Sequence, residues 1–455
     1  MGASIRDCVE TVLTADLAAK HRRYVLTPWL PQGKLDPPVI VRGEHVYLYD
    51  DRGQRYLDSC SGLIAVNLGH GHPKVLEAID AQAGRLCFSP PNWFNDVRAE
   101  AAEALVSLAP WPESGRVFFT TGGAQANEDA IKLARTVTGR HKILTAYRSF
   151  HGSSPGAGTL SGENRRWPNE PGMPGVVHFW APLPYRSPFF TTDPAEETGR
   201  ALQHRADVFT YENPRTIAAL VLEPVVGSNG VVVYPDGYLA GVRKLCDEHD
   251  VVLIFDEVMT GFGRTGAAFA GERFGVVPDA IVFAKGVTSA YVPLGGVILR
   301  ESLAATFDDL PLPCGHTYSG HPLAMAAAVA TLQAYRDGDL FARARTIEGW
   351  LRPRLEGLRD EHESLGDVRG VGAFFALEFV ADRATRAPLV AWQGAGMGVM
   401  AGLYASLARH GVYSFGRYNV TLVAPPLVIE EREVEALVAA LDAALGELEA
   451  ARANT

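Results

Sequence analysis

The sequence predicts an α/β fold: a mainly parallel sheet flanked by helices, with a smaller α+β domain assembled from both chain ends. Three observations predict it. Short apolar runs recur through the middle of the chain at 116–120, 142–145, 218–222, 251–255 and 280–284, with amphipathic, helix-length stretches between several of them. The N-terminal flank differs, since residues 39–50 alternate apolar and polar like an antiparallel hairpin, with Asp51, Arg52 and Gly53 as its turn. The C-terminal flank becomes helical from Ala324, and near its end Val434, Leu437, Val438, Leu441, Leu445 and Leu448 fall on one helix face. Between those helices, 373–380 and 418–423 read as strands. The expected organisation is an N-terminal part of the small domain at 1–75, a large domain at 76–330, and a C-terminal part of the small domain at 331–455. A sheet of this kind binds its ligands beyond the carboxyl ends of its strands.

Composition narrows the partners. A chain of 455 residues with 47% hydrophobic content can bury a large core. Its net charge of −10 argues against a nucleic-acid partner, whose phosphates select clustered basic surface. The short basic run at Lys20, His21, Arg22 and Arg23 reads as a solvated helix face or a subunit contact. Cys8, Cys60, Cys87, Cys246 and Cys314 are scattered without a C-x-x-C pair, which excludes a cysteine zinc site and fits a reducing compartment, read as the cytoplasm. No metal is expected. No stretch approaches the roughly 20 apolar residues of a membrane span, and the N-terminus, with Arg6, Asp7 and Glu10, lacks the apolar core of a signal peptide. No membrane partner is therefore expected.

The chemistry gathers at strand ends. Asp256 ends the run 251–255, and Lys285 follows the run 280–284 in the small-residue turn Ala284-Lys285-Gly286. That pair is what pyridoxal phosphate needs: a lysine amine that condenses with the cofactor aldehyde, and a carboxylate that keeps the pyridine nitrogen protonated. A solvated surface lysine is the alternative for the pair alone, but the apolar strand before Lys285 carries it away from water. Thr121, Gly122, Gly123 and Ala124 follow another strand and open a strong helix pattern, where small residues let backbone N–H groups approach a phosphate. A ligand-free tight turn would look the same. Phe150, before His151 and Gly152, offers an aromatic face for stacking, and Val258 a β-branched side chain for the opposite ring face; each also reads as core filler. Gly261 to Gly266 satisfies G-x-G-x-x-G and raises a rival reading, an NAD-dependent dehydrogenase. The ribose-binding acid that motif requires is not clearly supplied, because Asp279 comes early and reads as a strand cap, while Arg264 reads as ordering the loop near Asp256.

In this order, the motifs 123–128, Phe150-His151-Gly152, Glu223-Pro224, Asp256-Glu257-Val258, 261–266, Ala284-Lys285-Gly286 and 316–322 resemble the class III (ω-amino acid) aminotransferases of PLP fold type I. Segments 234–238 and 284–289 look closest to the taurine and β-alanine type. The resemblance implies a seven-stranded central sheet and pyridoxal 5'-phosphate as cofactor. It implies Lys285 as the lysine that carries the cofactor, Asp256 as the pyridinium partner, and Phe150 and Val258 as the two ring-packing residues. Gly122, Gly123 and Ala124 would cradle the phosphate. Thr317 would reach the phosphate held by the neighbouring subunit, which makes the site a property of a homodimer or tetramer. Glu223 would stand at the cofactor and substrate pocket near Arg417, the family's switch arginine, and Trp29 would wall that pocket. Phe150 replaces a usual tyrosine, Gln125 a frequent glutamate, and Met259 stands where some members have glutamine. The implied reaction is ping-pong transfer of an amino group from an ω-amino acid or primary amine, such as taurine or β-alanine, to pyruvate, 2-oxoglutarate or an aldehyde. Amino-sugar aminotransferase, aminomutase and phospholyase activities share the same constellation.

Overall fold

The computed structural model describes residues 17–391 and 397–453, so Arg6, Asp7, Cys8 and Glu10 lie outside the described residues. Its central sheet has seven strands, in the order Gly115–Thr120, Gly295–Arg300, Ala280–Ala284, Val252–Asp256, Ile217–Leu222, Lys142–Ala146 and Val176–Phe179. All run parallel except Gly295–Arg300, which is antiparallel to both neighbours. Five of these strands coincide with the apolar runs. The other two escape a pattern search for local reasons. Val176–Phe179 is a four-residue edge strand, and Gly295–Arg300 opens on two glycines. Those glycines are required by close backbone approach: a Cβ on Gly295 would meet the Gly122 carbonyl carbon at 2.7 Å, and one on Gly296 the Phe118 oxygen at 2.6 Å.

Strands buried on both faces explain why their sequences are continuous apolar runs; every residue of Ile217–Leu222 is buried. One face is covered by helix Gly123–Thr138 through Ala126, Ala130, Ile131, Leu133 and Ala134. Phe209, Tyr238, Leu239 and Val242, from helices Pro194–Tyr211 and Tyr238–Glu248, belong to a second cluster built on Leu220, Leu222, Leu253 and Phe255. Each fully buried large apolar side chain of this kind contributes about 1.5–3 kcal/mol.

The chain ends meet. Ile40–Glu44, Tyr47–Asp50 and Arg55–Asp58 form an antiparallel meander, and Val412–Tyr413 joins its edge in parallel, pairing Val412 with Leu57. The stretch 39–50, expected as a hairpin with its turn at 51–53, instead holds two paired strands that turn at His45, whose φ is +54°, and 51–53 makes a second turn into Arg55–Asp58. Leu365–Val371, Phe374–Asp382, Val420–Val423 and Gly416–Arg417 form another sheet. Helices Pro322–Asp337 and Leu340–Glu361 precede it, and Glu431–Ala453 closes the described chain with Val434, Leu437, Leu441, Leu445 and Leu448 buried and Val438 half-buried. No helix among the described residues is long and apolar enough to cross a membrane.

Arg264 fastens the ends to the centre. Fully buried, it donates to the carbonyls of Ala373 (3.0 Å) and Pro425 (2.6 Å), to Ser61 Oγ (2.9 Å) and to Asn67 Oδ1 (2.6 Å). It therefore ties its loop to both chain ends and is spent on structure. The glycines around it are packed in: a Cβ on Gly263 would meet Leu427 and Phe341 at 2.9 Å, which leaves the G-x-G-x-x-G segment no surface for a dinucleotide. Arg264→Met should cost about 3 kcal/mol or more, since four acceptors lose a charged donor. Urea denaturation checks this; a loss below about 1 kcal/mol would contradict it.

Candidate active site

A cavity of about 590 Å³ opens beyond the carboxyl ends of the central strands. The strand ends Asp256 and Ala284, the turns 121–124 and 150–152, and Lys285 all line it, because parallel strands deliver their following loops to one edge. Of the residues singled out by sequence, Gly122, Gly123, Ala124, Phe150, Glu223, Asp256, Val258, Lys285 and Trp29 come together here.

Asp256 is buried and saturated with donors. Its Oδ2 accepts from Asn127 Nδ2 at 2.9 Å and from His151 Nδ1 at 2.7 Å, and its Oδ1 accepts from the Val258 amide at 3.1 Å. Burial disfavours the His151 imidazolium, but the hydrogen bond and charge of Asp256 outweigh it and the net shift is upward. Asn127 and His151 were not among the expected site residues. The available signal was a polar Asn127 on what proves to be the buried face of its helix, and a histidine beside Phe150.

Lys285 occupies the turn after Ala280–Ala284 with φ +49°, a left-handed conformation uncommon for a side-chain-bearing residue. Burial lowers its ammonium to about 8, against the raising charges of Asp256 and Glu223. Glu223 is buried, and its carboxylate accepts from the Phe150 amide (2.9 Å) and the Gly227 amide (2.8 Å). Burial pushes it up to about 7. A Cβ on Gly227 would stand 2.4 Å from Met259 Sδ, so Gly227 packs closely under that side chain.

At the turn 121–124 the helix Gly123–Thr138 begins, with its first amides and its dipole directed at the cavity. Gln125 accepts from the Thr121 amide at 3.1 Å and braces that turn. A Cβ on Gly123 would meet Val258 Cγ2 at 2.9 Å, so the glycine sets how closely the turn and the valine approach. The Phe150 ring packs edge-on against Trp29, with centroids 6.3 Å apart.

Two expected residues lie apart. Thr317 is exposed and outside its own chain's cavity. Arg417 is half-buried, but its partner is Glu163 (2.6 Å), with Asn164 (2.5 Å) beside it, while Glu223 is held by backbone amides.

A buried carboxylate facing a lysine of lowered basicity, with an anion-ready helix start alongside, fits a phosphorylated pyridine aldehyde. Comparison with known proteins agrees. The family "Aminotransferase class-III" matches residues 32–445. The chain is a class-III aminotransferase. A taurine:2-oxoglutarate aminotransferase from Bifidobacterium kashiwanohense, solved in complex with PLP and glutamate, is similar with a TM-score of 0.92 and 41% identity, covering 95% of this chain and 98% of that one. An (S)-enantioselective omega-transaminase from Thermomicrobium roseum gives a TM-score of 0.90 at 36% identity, over 96% and 99% of the two chains. A probable aminotransferase of Mycobacterium tuberculosis is 38% identical over 419 residues, 88% of each chain. The aminotransferase thus has the α/β architecture of fold type I.

The neutral, reactive form of Lys285 should appear at lower pH than for an ordinary lysine. Acetic anhydride labelling of the cofactor-free protein, read by peptide mass spectrometry, should rise with pH and level off above about 8. Reactivity still climbing at the ordinary lysine value of 10.5 would contradict the burial argument.

Proposed function

We propose that this aminotransferase moves an amino group from an ω-amino acid or primary amine of the taurine or β-alanine kind to an α-keto acid, 2-oxoglutarate or pyruvate, by a ping-pong route. The observation that carries the reading is the convergence of Lys285 and Asp256 on one cavity beside the helix start at Gly123. The similar taurine:2-oxoglutarate aminotransferase supports the substrate class.

Pyridoxal 5'-phosphate, when bound, supplies an aldehyde that takes up the amine and a ring that accepts electrons as the α-hydrogen leaves. Lys285 holds the cofactor at rest and, once displaced, moves the proton; its lowered basicity suits both roles. Asp256, oriented by Asn127, His151 and the Val258 amide, holds the ring nitrogen protonated. Gly122, Gly123 and Ala124 offer backbone donors to the phosphate, Phe150 and Val258 pack the two ring faces, and Glu223 and Trp29 border the substrate. Arg417 is reserved for the keto acid's carboxylate, a charge-assisted contact.

A homodimer belongs to this proposal. Phe94 is fully exposed and its neighbour Trp93 is 67% exposed. Phe88 and Tyr318 each pack against His321, which brings apolar surface to the segment holding Thr317. A second copy covering this patch would bring Thr317 to the neighbour's phosphate. The organisation into 1–75, 76–330 and 331–455 is proposed on the same footing, supported by the pairing of Leu57 with Val412. Free Cys60, Cys87, Cys246 and Cys314 fit a reducing cytoplasm.

Borohydride reduction of the loaded enzyme should fix the cofactor's mass to the peptide containing Lys285. Lys285→Ala should lose that adduct, and amine-dependent turnover should fall by at least about 10²–10⁴-fold. An adduct on another lysine, or undiminished turnover, would contradict the assignment.

A further inference from the structure

A second cavity, of about 400 Å³, shares no lining residue with the cofactor cavity. It lies beyond the carboxyl ends of two neighbouring strands at one side of the central sheet. Tyr147 is the first residue after Lys142–Ala146, and Trp180 the first after Val176–Phe179, so these strands deliver two aromatic rings to one place. The Tyr147 ring stacks on His178 with centroids 5.3 Å apart and tilts against Trp180 at 4.7 Å. Trp167, from the short helix Asn164–Asn169, adds a third ring to the lining. Trp167 is 54% exposed and Trp180 47%, so aromatic surface stays accessible at the cavity.

The polar part of the lining is cationic. Arg148, Arg166 and Arg186 contribute to it, and burial lowers the Arg148 guanidinium to about 10, which leaves it charged at neutral pH. The two acids of the lining are already engaged: Glu163 accepts from Arg165 and Arg417, and Glu378 from Arg186 and Arg369. Arg186 also donates to the Arg386 carbonyl, yet its Nη2 is buried without a hydrogen-bond partner among the described residues. Accessible rings beside guanidinium groups, one of which lacks an acceptor, suit a ligand that is flat, aromatic and acidic. An aliphatic acid would leave the rings uncovered, and a neutral arene would leave the Arg186 donor unpaired. The volume falls in the roughly 300–1,000 Å³ range of small-molecule pockets.

We propose that this cavity binds an aryl carboxylate at a site separate from the cofactor and the reacting substrates, with Trp167 and Trp180 holding the ring and Arg186 the acid group. Neither Lys285, Asp256 nor Arg417 lines it, so its occupant does not depend on which amine the enzyme uses. Phe88, Trp93, Phe94 and Tyr318, the patch assigned to a second copy, are likewise absent from the lining.

The probe is 2-naphthoate, titrated into the loaded enzyme by calorimetry while the visible cofactor band is recorded. The wild type should bind one equivalent per chain and leave the band unshifted. 2-Naphthylmethanol, which keeps the rings and loses the charge, should bind at least tenfold more weakly, as should cyclohexanecarboxylate, which keeps the charge and loses the rings. Trp167→Ala and Trp180→Ala should each weaken 2-naphthoate at least fivefold, and Arg186→Met at least tenfold. Arg186 also holds Glu378, so Trp167→Ala, at an exposed position, carries the test if Arg186→Met fails to fold. Trp29→Ala, in the cofactor cavity, should leave the affinity within twofold. Absence of saturable binding at millimolar probe, equal affinity for the three probes, or unchanged affinity in both Trp167→Ala and Trp180→Ala would overturn the site. Weakening by Trp29→Ala together with a shifted band would overturn it too, by placing the probe in the cofactor cavity.

Discussion

The site depends on one buried carboxylate. A carboxylate buried without partners costs several kcal/mol, and at Asp256 three donors offset that cost: Asn127, His151 and the Val258 amide. The donors come from different parts of the chain, so satisfying Asp256 also fixes their relative positions. Asn127 belongs to the helix that begins at Gly123, and its Nδ2 reaches the carbonyls of Gly123 (3.2 Å) and His151 (3.0 Å) as well. His151 follows Phe150, and its amide donates to Ser161 Oγ at 3.0 Å. One carboxylate thereby fixes the helix start at Gly123, the turn at His151 and the strand end at Asp256 relative to one another.

Around that anchor the site is asymmetric in charge. Asp256, Glu223 and His151 occupy the inner wall, where burial raises Glu223 to about 7. Arg165, stacked on the Phe150 ring, and Arg417 share Glu163 between them. Lys285 lies where burial and its charged neighbours are balanced near neutrality, at about 8. A lysine so poised can lose and regain a proton without a large free-energy step, since one pKa unit corresponds to about 1.4 kcal/mol.

Most of this inner wall was legible in the sequence. Strands buried on both faces write themselves as uninterrupted apolar runs, and chemistry at their carboxyl ends is visible as the first polar or small residue after each run, as with Asp256, Lys285 and Gly122. The edge strand Val176–Phe179 and the glycine-opened Gly295–Arg300 were not legible, because short length and close backbone approach erase the apolar signature. The support of Asp256 by Asn127 and His151, and the pairing of Glu163 with two arginines, depend on contacts between segments far apart in the chain. No local pattern encodes such contacts. Arg264 was legible as a residue of importance, but its task of joining Ser61 and Asn67 to Ala373 and Pro425 emerged only from the fold.

The central proposal is that Asp256, oriented by its three donors, keeps the ring nitrogen protonated during amino-group transfer. Asp256→Asn preserves size and removes the charge, so it separates electrostatics from packing. The rate of the first half-reaction in a single turnover with β-alanine, followed by loss of the visible cofactor band, tests this most directly. The account predicts a fall of at least about a hundredfold, equivalent to roughly 2.7 kcal/mol of barrier, with the cofactor still bound. A rate within threefold of the wild-type value would contradict it.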